Sequence, residues 1–369
     1  MSIRVALIET APPDAPGSMV RYAELLTRAF GNDNEFTLHR VSLAPTNRML
    51  RRFPQRIRSW IHHAVVWANA RMVRRRDFDL FHVLDGSHGY VANGLPQGRA
   101  IVTSHDIIPW LQAQGEFSVP SPGRGARWLI QRALVGLDRA TLVLADSQST
   151  ANDLARTGAV RSHVEVCPLA LEPDFTPPDI ETVRTADEYP VVFHIGNNGF
   201  YKNRSGVIQV FAKVRAALPA KLVLAGPAPT GELRKLVADL QIEDDVTFLI
   251  NPSDEALRSL YRQASVFLFP SYYEGFGWPP LEAMASGCPV VASNAGSLPE
   301  VTGTAALTAE PDDVETLAMH CLSILQESDV AAQIREAGFA QAGEFSLEHL
   351  HNRMRSAYQQ VYKKTGRTA

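Results

Sequence analysis

The residues best placed to do chemistry are two glutamates eight positions apart, Glu274 and Glu282, in the stretch FLFPSYYEGFGWPPLEAMASGCPVV (267–291). Carboxylates accept hydrogen bonds from hydroxyls, while a glycine turn leading into a helix offers backbone N–H groups to phosphate. Gly275 and Gly277, on either side of Phe276, remove side chains so that the loop backbone can approach a ligand. Pro279-Pro280 suits a helix start, which puts Glu282 in the first turn, and Gly287 suits its end. The pattern fits a diphosphate with hydroxyl groups at both ends, as in a nucleotide sugar, with Glu274 toward the sugar and Glu282 toward the ribose. Tyr272, Tyr273, Phe276 and Trp278 would wall the pocket or pack beneath it. Glutamate pairs at this spacing also arise by chance, and a glutamate in a first turn is ordinary dipole complementarity. It is the order of strand, glycine loop, proline-started helix and glycine stop that singles this pair out.

Such a site needs a rigid frame, and the pattern supplies one twice. Short apolar strands are expected at Val5–Ile8, Phe36–Val41, Leu80–Leu84, Ala100–Ser104 and Leu142–Ala145, with helical periodicity between them. Residues Leu171–Pro190 carry four prolines and no apolar period. Alternation restarts at Val191–Ile195, Lys221–Ala225, Val246–Ile250, Val266–Pro270 and Pro289–Ala292, and a last helix is expected near Leu347–Tyr362. The class is therefore α/β, two Rossmann-like doubly wound domains in tandem (1–172 and 190–345, linker 173–189), with the last helix, about 346–364, returning to the first. Two such domains imply a central cleft, with ligands at the carboxyl ends of the parallel strands.

The stretch EGFGWPPLEAMASGCPVV resembles the E-x7-E segment of the retaining glycosyltransferases of family 4, which adopt the GT-B fold. HIGNNGFYKN (194–203), VTFLINPSDEALRSLYRQASVFLFPS (246–271), TSHDII (103–108) and ADSQST (145–150) are similar to further landmarks in the same order. The resemblance implies a nucleotide-diphosphate sugar as donor substrate rather than a cofactor, no metal, and front-face displacement in which a phosphate oxygen takes the acceptor proton. It implies Lys202 on the pyrophosphate and His105 lining the sugar site. Two positions depart from the family: Asn197 and Asn198 stand where an arginine is usual, with Arg204 close enough in sequence to replace it. In APGSMVRY (15–22), Gly17 is followed by Ser18 instead of a second glycine. The wording of the motifs is closest to members that use GDP-mannose. A nucleotide-sugar epimerase, or a non-catalytic binder of nucleotide sugars or membranes, would share the fold.

The net charge of −3 hides an asymmetry: residues 1–170 hold 20 Arg, no Lys and 14 acids, the remainder 16 basic and 25 acidic residues. Residues Asn47–Arg76 contain nine Arg and no acid, with Ile57, Trp60, Ile61, Ala64 and Ala68 at helical spacing. That segment reads either as an interfacial helix on anionic lipid, presenting a lipid-linked glycan acceptor, or as a helix packed on its own sheet. No nucleic-acid recognition motif accompanies the charge. Three scattered cysteines, Cys167, Cys288 and Cys321, make no disulfide framework or metal spacing. With no apolar targeting region or spanning stretch, the expectation is a cytoplasmic protein, at most peripheral to the inner face of the membrane.

Overall fold

A computed structural model describes residues 2–14, 17–177 and 189–366. Most of the expected linker, 178–188, lies outside the described residues, as do Ala15 and Pro16 of the expected glycine loop. The chain divides into two compact units, one running to Ala170 and resuming from Leu347, the other Leu171–Ser346.

The first unit is built on six parallel strands: β1 (Ile3–Glu9), β2 (Phe36–Ser42), β3 (Leu80–Val83), β4 (Ala100–Ser104), β5 (Leu142–Ala145) and β6 (Val164–Val166). Their order is β2-β1-β3-β4-β5-β6. β3, β4 and β5 are buried along their whole length, which is why they are mostly apolar without alternation, the exceptions being His82, Thr103 and Ser104. β6, three half-buried residues including Glu165, gives no such signal and was not expected. The helix Arg124–Arg139 crosses the 3-10 segment Gly86–Gly94 at a glycine pair, where a Cβ on Gly136 would fall 2.0 Å from the Gly89 carbonyl oxygen.

The second unit repeats the plan with β7 (Val191–Ile195), β8 (Lys221–Gly226), β9 (Val246–Ile250), β10 (Val266–Phe269), β11 (Val290–Ser293) and β12 (Ala306–Ala309). The order β12-β11-β10-β7-β8-β9 is doubly wound: the chain starts at the centre, winds to one edge, returns to β10 and winds to the other. The core beneath it joins Val192, Leu222 and Leu268 to Val207, Phe211 and Val214 of the helix Arg204–Ala217. Reversal of strand order creates a crevice between β7 and β10, and in the first unit between β1 and β3.

The basic segment forms a short helix, Asn47–Leu50, and a long one, Gln55–Val73. The apolar stripe marked by periodicity is not its packed face. Val66, Ala70 and Val73 are buried, whereas Ile57 and Trp60 are 43% and 48% exposed. Trp60 lies beside the equally exposed Trp128, ring centroids 6.2 Å apart. The helix packs through a face other than that stripe.

The helix Leu347–Lys364 completes the first unit, burying Leu350, Met354, Ala357, Tyr358 and Val361. Polar contacts flank it: His351 hydrogen-bonds Asp33 at 2.8 Å and Arg355 pairs with Glu35 at 2.7 Å. At its centre the Tyr358 hydroxyl meets His82 Nδ1 at 2.9 Å, His82 Nε2 meets the Thr103 hydroxyl at 2.7 Å, and Thr103 meets Tyr22 at 3.1 Å. All four are buried, and burial, reinforced by the charge of His105, pushes His82 down to about 3. Tyr358→Phe leaves the buried His82 Nδ1 without its partner and should destabilise the protein by about 1–3 kcal/mol. Urea unfolding of the variant against the parent checks this; an unchanged midpoint would refute the role.

Candidate active site

The crevice of the second unit gathers most of the expected site residues. β7 ends at Gly196, where a Cβ would come within 3.0 Å of His194 Nε2 and 3.3 Å of Lys202 Cβ, so a side chain there is crowded by both neighbours. Gly226, at the end of β8 with φ +133°, would place a Cβ 2.2 Å from the Gly196 oxygen. Lys202 sits in the 3-10 turn Phe200–Lys202, and Asn203 (φ 47°) ends that turn and caps the next helix. The Asn203 side chain accepts from Gly206 N and donates to the carbonyls of Pro270 and Pro311, each at 3.0 Å. The loop after β7 is thus tied to the loop after β10.

Across that tie, Lys202 Nζ donates to both oxygens of Glu274, at 2.8 and 2.9 Å, in surroundings where the side chains are only 13% and 10% exposed. An ammonium has three donors, so one remains after Glu274 is served. The Glu274–Gly277 loop is held from below by Ser297, whose hydroxyl donates to the carbonyls of Glu274 (2.9 Å) and Phe276 (2.5 Å). Gly296 (φ 58°) passes so close that a Cβ would lie 2.8 Å from the Glu274 oxygen. Ser297 escaped the sequence reading, because a serine after a strand carries no periodic or motif signal.

The helix that follows is Trp278–Ala285, preceded by Gly277 with φ 115°. Glu282 is its fifth residue and not part of its first turn as expected, because the helix opens at Trp278, ahead of both prolines. It is 4% exposed and accepts from the buried Tyr261 hydroxyl at 2.8 Å. Pro279 and Pro280 have no N–H and so offer no backbone donor in the first turn of this helix.

Where the family arginine is absent, Asn198 and Arg204 come together. Arg204 Nη1 donates to Asn198 Oδ1 and, at 3.2 Å, to the Pro227 carbonyl, while Nε and Nη2 are buried with no protein partner. Burial draws the Arg204 pKa below its usual value. Burial likewise takes His194 down to about 3, with the charges of Arg204 and Lys202 adding to it. The crevice therefore holds two fixed cations beside a neutral imidazole.

In the first unit, His105 follows β4 and binds two other strand ends: Nδ1 to Asp146 after β5 at 2.5 Å, and Nε2 to the Leu84 carbonyl after β3 at 2.7 Å. Burial opposes its charge, but Asp146 outweighs burial and carries it up to about 9. Both ring nitrogens are taken by protein acceptors, so His105 presents a positively charged ring, not a spare N–H. Gly17, at the start of the helix Ser18–Ala29, has extended backbone, and a Cβ there would meet nothing within 4 Å. Open space, not backbone conformation, is what glycine leaves there. Among the described residues no group of three or more His, Cys, Asp or Glu is arranged to hold a metal ion.

Residues 22–175 match the family described as "Glycosyltransferase Family 4", and 177–341 that described as "Glycosyl transferases group 1". The O-antigen chain mannosyltransferase B of Escherichia coli is 31% identical over 295 residues, 75% of this chain and 74% of that one. The chain belongs to the group 1/family 4 glycosyltransferases. The MMP alpha-(1->4)-mannosyltransferase of Mycolicibacterium hassiacum is 35% identical over 180 residues, 47% of this glycosyltransferase and 43% of that protein. Among solved structures, sucrose-phosphate synthase from Thermosynechococcus elongatus superposes with a TM-score of 0.78 at 21% identity, over 98% of this chain and 99% of that one. HepE from Anabaena, in complex with UDP and glucose, does so with a TM-score of 0.72 at 18% identity, over 97% and 100%. These likenesses give the glycosyltransferase the GT-B fold.

Removing one member of a nearly buried ion pair strands the other. Lys202→Met should cost about 3 kcal/mol of stability, and the double variant Lys202→Met/Glu274→Met should recover most of it. Chemical denaturation of the four proteins measures the coupling; additive losses would show that the two side chains do not depend on each other.

Proposed function

We propose that this glycosyltransferase transfers a hexose, mannose above others, from a nucleotide-diphosphate sugar to a glycan or lipid-linked acceptor with retention of configuration, in surface polysaccharide assembly. The observation that carries the proposal is the Lys202–Glu274 pair in the β7/β10 crevice, with Arg204 beside it. It is supported by mannosyltransferase names among the relatives, including the O-antigen enzyme of Escherichia coli. A GDP-sugar is the donor favoured.

On this reading the acceptor hydroxyl attacks the anomeric carbon from the face the diphosphate leaves. The new carbon–oxygen bond forms as the old one breaks, and a phosphate oxygen of the departing nucleotide takes the proton. No protein nucleophile is required. Charge grows on the leaving diphosphate, and preorganised cations that meet it there lower the barrier. Lys202 meets it with the donor Glu274 does not use, and Arg204 with its two unpartnered nitrogens, replacing the arginine missing at Asn197–Asn198. Glu274 orients Lys202 and accepts from sugar hydroxyls; Glu282, braced by Tyr261, takes the ribose. Gly275, Phe276 and Gly277 border the diphosphate.

Incubation with a panel of GDP- and UDP-sugars should release nucleotide slowly from one donor, and Glu274→Gln should lower the rate about 10²–10³-fold. Conversion of the donor with no nucleotide release would favour an epimerase, and binding without turnover in the presence of acceptors a non-catalytic protein. An inverted anomer in the product, read by NMR, would sink the retaining mechanism.

The same proposal sets the basic segment 47–76 against an anionic membrane surface of the cytoplasmic face, with no role in nucleic-acid binding. No helix of the described residues is long and apolar enough to cross a membrane, but Trp60, Trp67, Met72 and Trp128 stand exposed among arginines. Such aromatic and cationic groups suit the headgroup region. Cosedimentation with phosphatidylglycerol vesicles should be strong and salt-sensitive, and should fall several-fold in Trp60→Ser/Trp128→Ser. Equal cosedimentation with phosphatidylcholine vesicles would count against it.

A further inference from the structure

In the first unit, the end of the helix Asn47–Leu50 and the start of Gln55–Val73 border an open cavity of about 390 Å³ lined by Asn47, Leu50, Arg51, Arg58, Ser59 and His62. The lining holds two guanidinium groups, an amide, a hydroxyl and an imidazole, and no carboxylate. Arg58 gives Nε to the carbonyl of Phe53 at 2.8 Å and Nη2 to that of Arg51 at 3.4 Å, neutral acceptors that take two of its five N–H groups and leave its charge uncompensated. The carboxylates nearest this region are Asp14, whose oxygens accept from the backbone N–H groups of Asn47 and Arg48 and whose charge also meets Arg51, and Asp85, which acts on His62. Guanidinium groups with adjacent neutral donors are the chemistry of phosphate recognition.

His62 connects the cavity to the strand ends of the sheet. Its ring lies 5.6 Å from that of His63 and 5.4 Å from that of His88. His88 Nδ1 is 2.8 Å from Asp85, which follows β3 and reaches Thr10 after β1 at 3.4 Å. His88 Nε2 is buried with no protein partner. His63 and His88 are 5.0 Å apart as well, so the three imidazoles form a compact cluster between the cavity and the β1/β3 crevice, with an unsatisfied polar atom on His88. Beside the cavity, on the same helix, stand the exposed Ile57 and Trp60.

We propose that this cavity binds the phosphate or diphosphate of the acceptor carrier, with the glycan leaving past the histidine cluster and the apolar chain lying over Ile57, Trp60 and Trp128. The inference rests on the lipid-linked acceptor proposed above and assigns Arg51, Arg58, Ser59 and His62 to it.

The test measures binding without donor or turnover, so failure of the transferase reading and failure of this one are separable. The full chain is titrated with farnesyl monophosphate and farnesol by calorimetry, as the parent, as Arg51→Gln and as Ser59→Glu. The expected result is that farnesyl monophosphate binds the parent at least tenfold more tightly than farnesol. Both variants should lose at least tenfold of that affinity with unchanged thermal midpoints. Arg51 and Ser59 are chosen because Arg58 holds turn carbonyls and its loss could unfold the segment. Affinity unchanged in both variants, or equal affinity for farnesol, would overturn the assignment. So would Arg51-dependent binding to phosphatidylglycerol vesicles with none to farnesyl monophosphate, which would make the cavity a membrane headgroup site.

Discussion

In each sheet every strand runs in the same direction, so all six carboxyl ends arrive at one edge, and the rest of the molecule follows from that constraint. Loops leaving this edge must turn back over the sheet, and polar side chains there are buried whether or not a ligand is present. The protein satisfies them by tying one strand end to the next. His105 bonds the ends of β3 and β5 from the end of β4. Asn203 links the loop after β7 to Pro270 after β10, and Ser297 holds up the loop that carries Glu274. Burial makes each of these bonds worth more than it would be at the surface, and it makes each orphaned partner expensive. The site is rigid because its frame leaves these groups few alternatives.

The same edge concentrates positive charge within a unit that is acidic as a whole. Residues 171–346 carry 11 basic and 24 acidic side chains, yet the β7/β10 crevice brings together Lys202, paired with Glu274, and Arg204, whose hydrogen bonds go to neutral oxygens of Asn198 and Pro227. Net charge describes the outer surface here and says little about the field where the donor is proposed to bind. Arg204 is the sharper case. A guanidinium with two buried, unpartnered nitrogens costs stability in the protein by itself and is relieved when an anion arrives.

Much of the fold was legible because apolar residues concentrate in the parallel strands, most densely in the buried central ones, and ten of the twelve strands were expected on that ground. β6 and β12 lie at sheet edges, half-buried, and their residues are too mixed to signal a strand. Glu274, Glu282 and Lys202 could be picked out because glycine, proline and carboxylate spacing is local. Their partners could not. Tyr261, Ser297 and Tyr358 act on residues 21 to 276 positions away, and the contacts exist only once the sheet has formed. The long basic helix shows the opposite failure. Its apolar period was real, but a period reveals that a face exists without saying whether protein covers it.

The helix Leu347–Lys364 gives the chain an unusual order of assembly. Domains emerging from a ribosome usually fold as they appear, the first one ahead of the next. Here residues 2–170 emerge first and lack the helix that covers His82, Phe30 and Phe36. Residues 171–346 can close their own sheet while the earlier unit still waits with an open apolar seam. Translation therefore leaves the first-made unit to be finished last, and the time needed to synthesise the second sets how long that seam depends on chaperones.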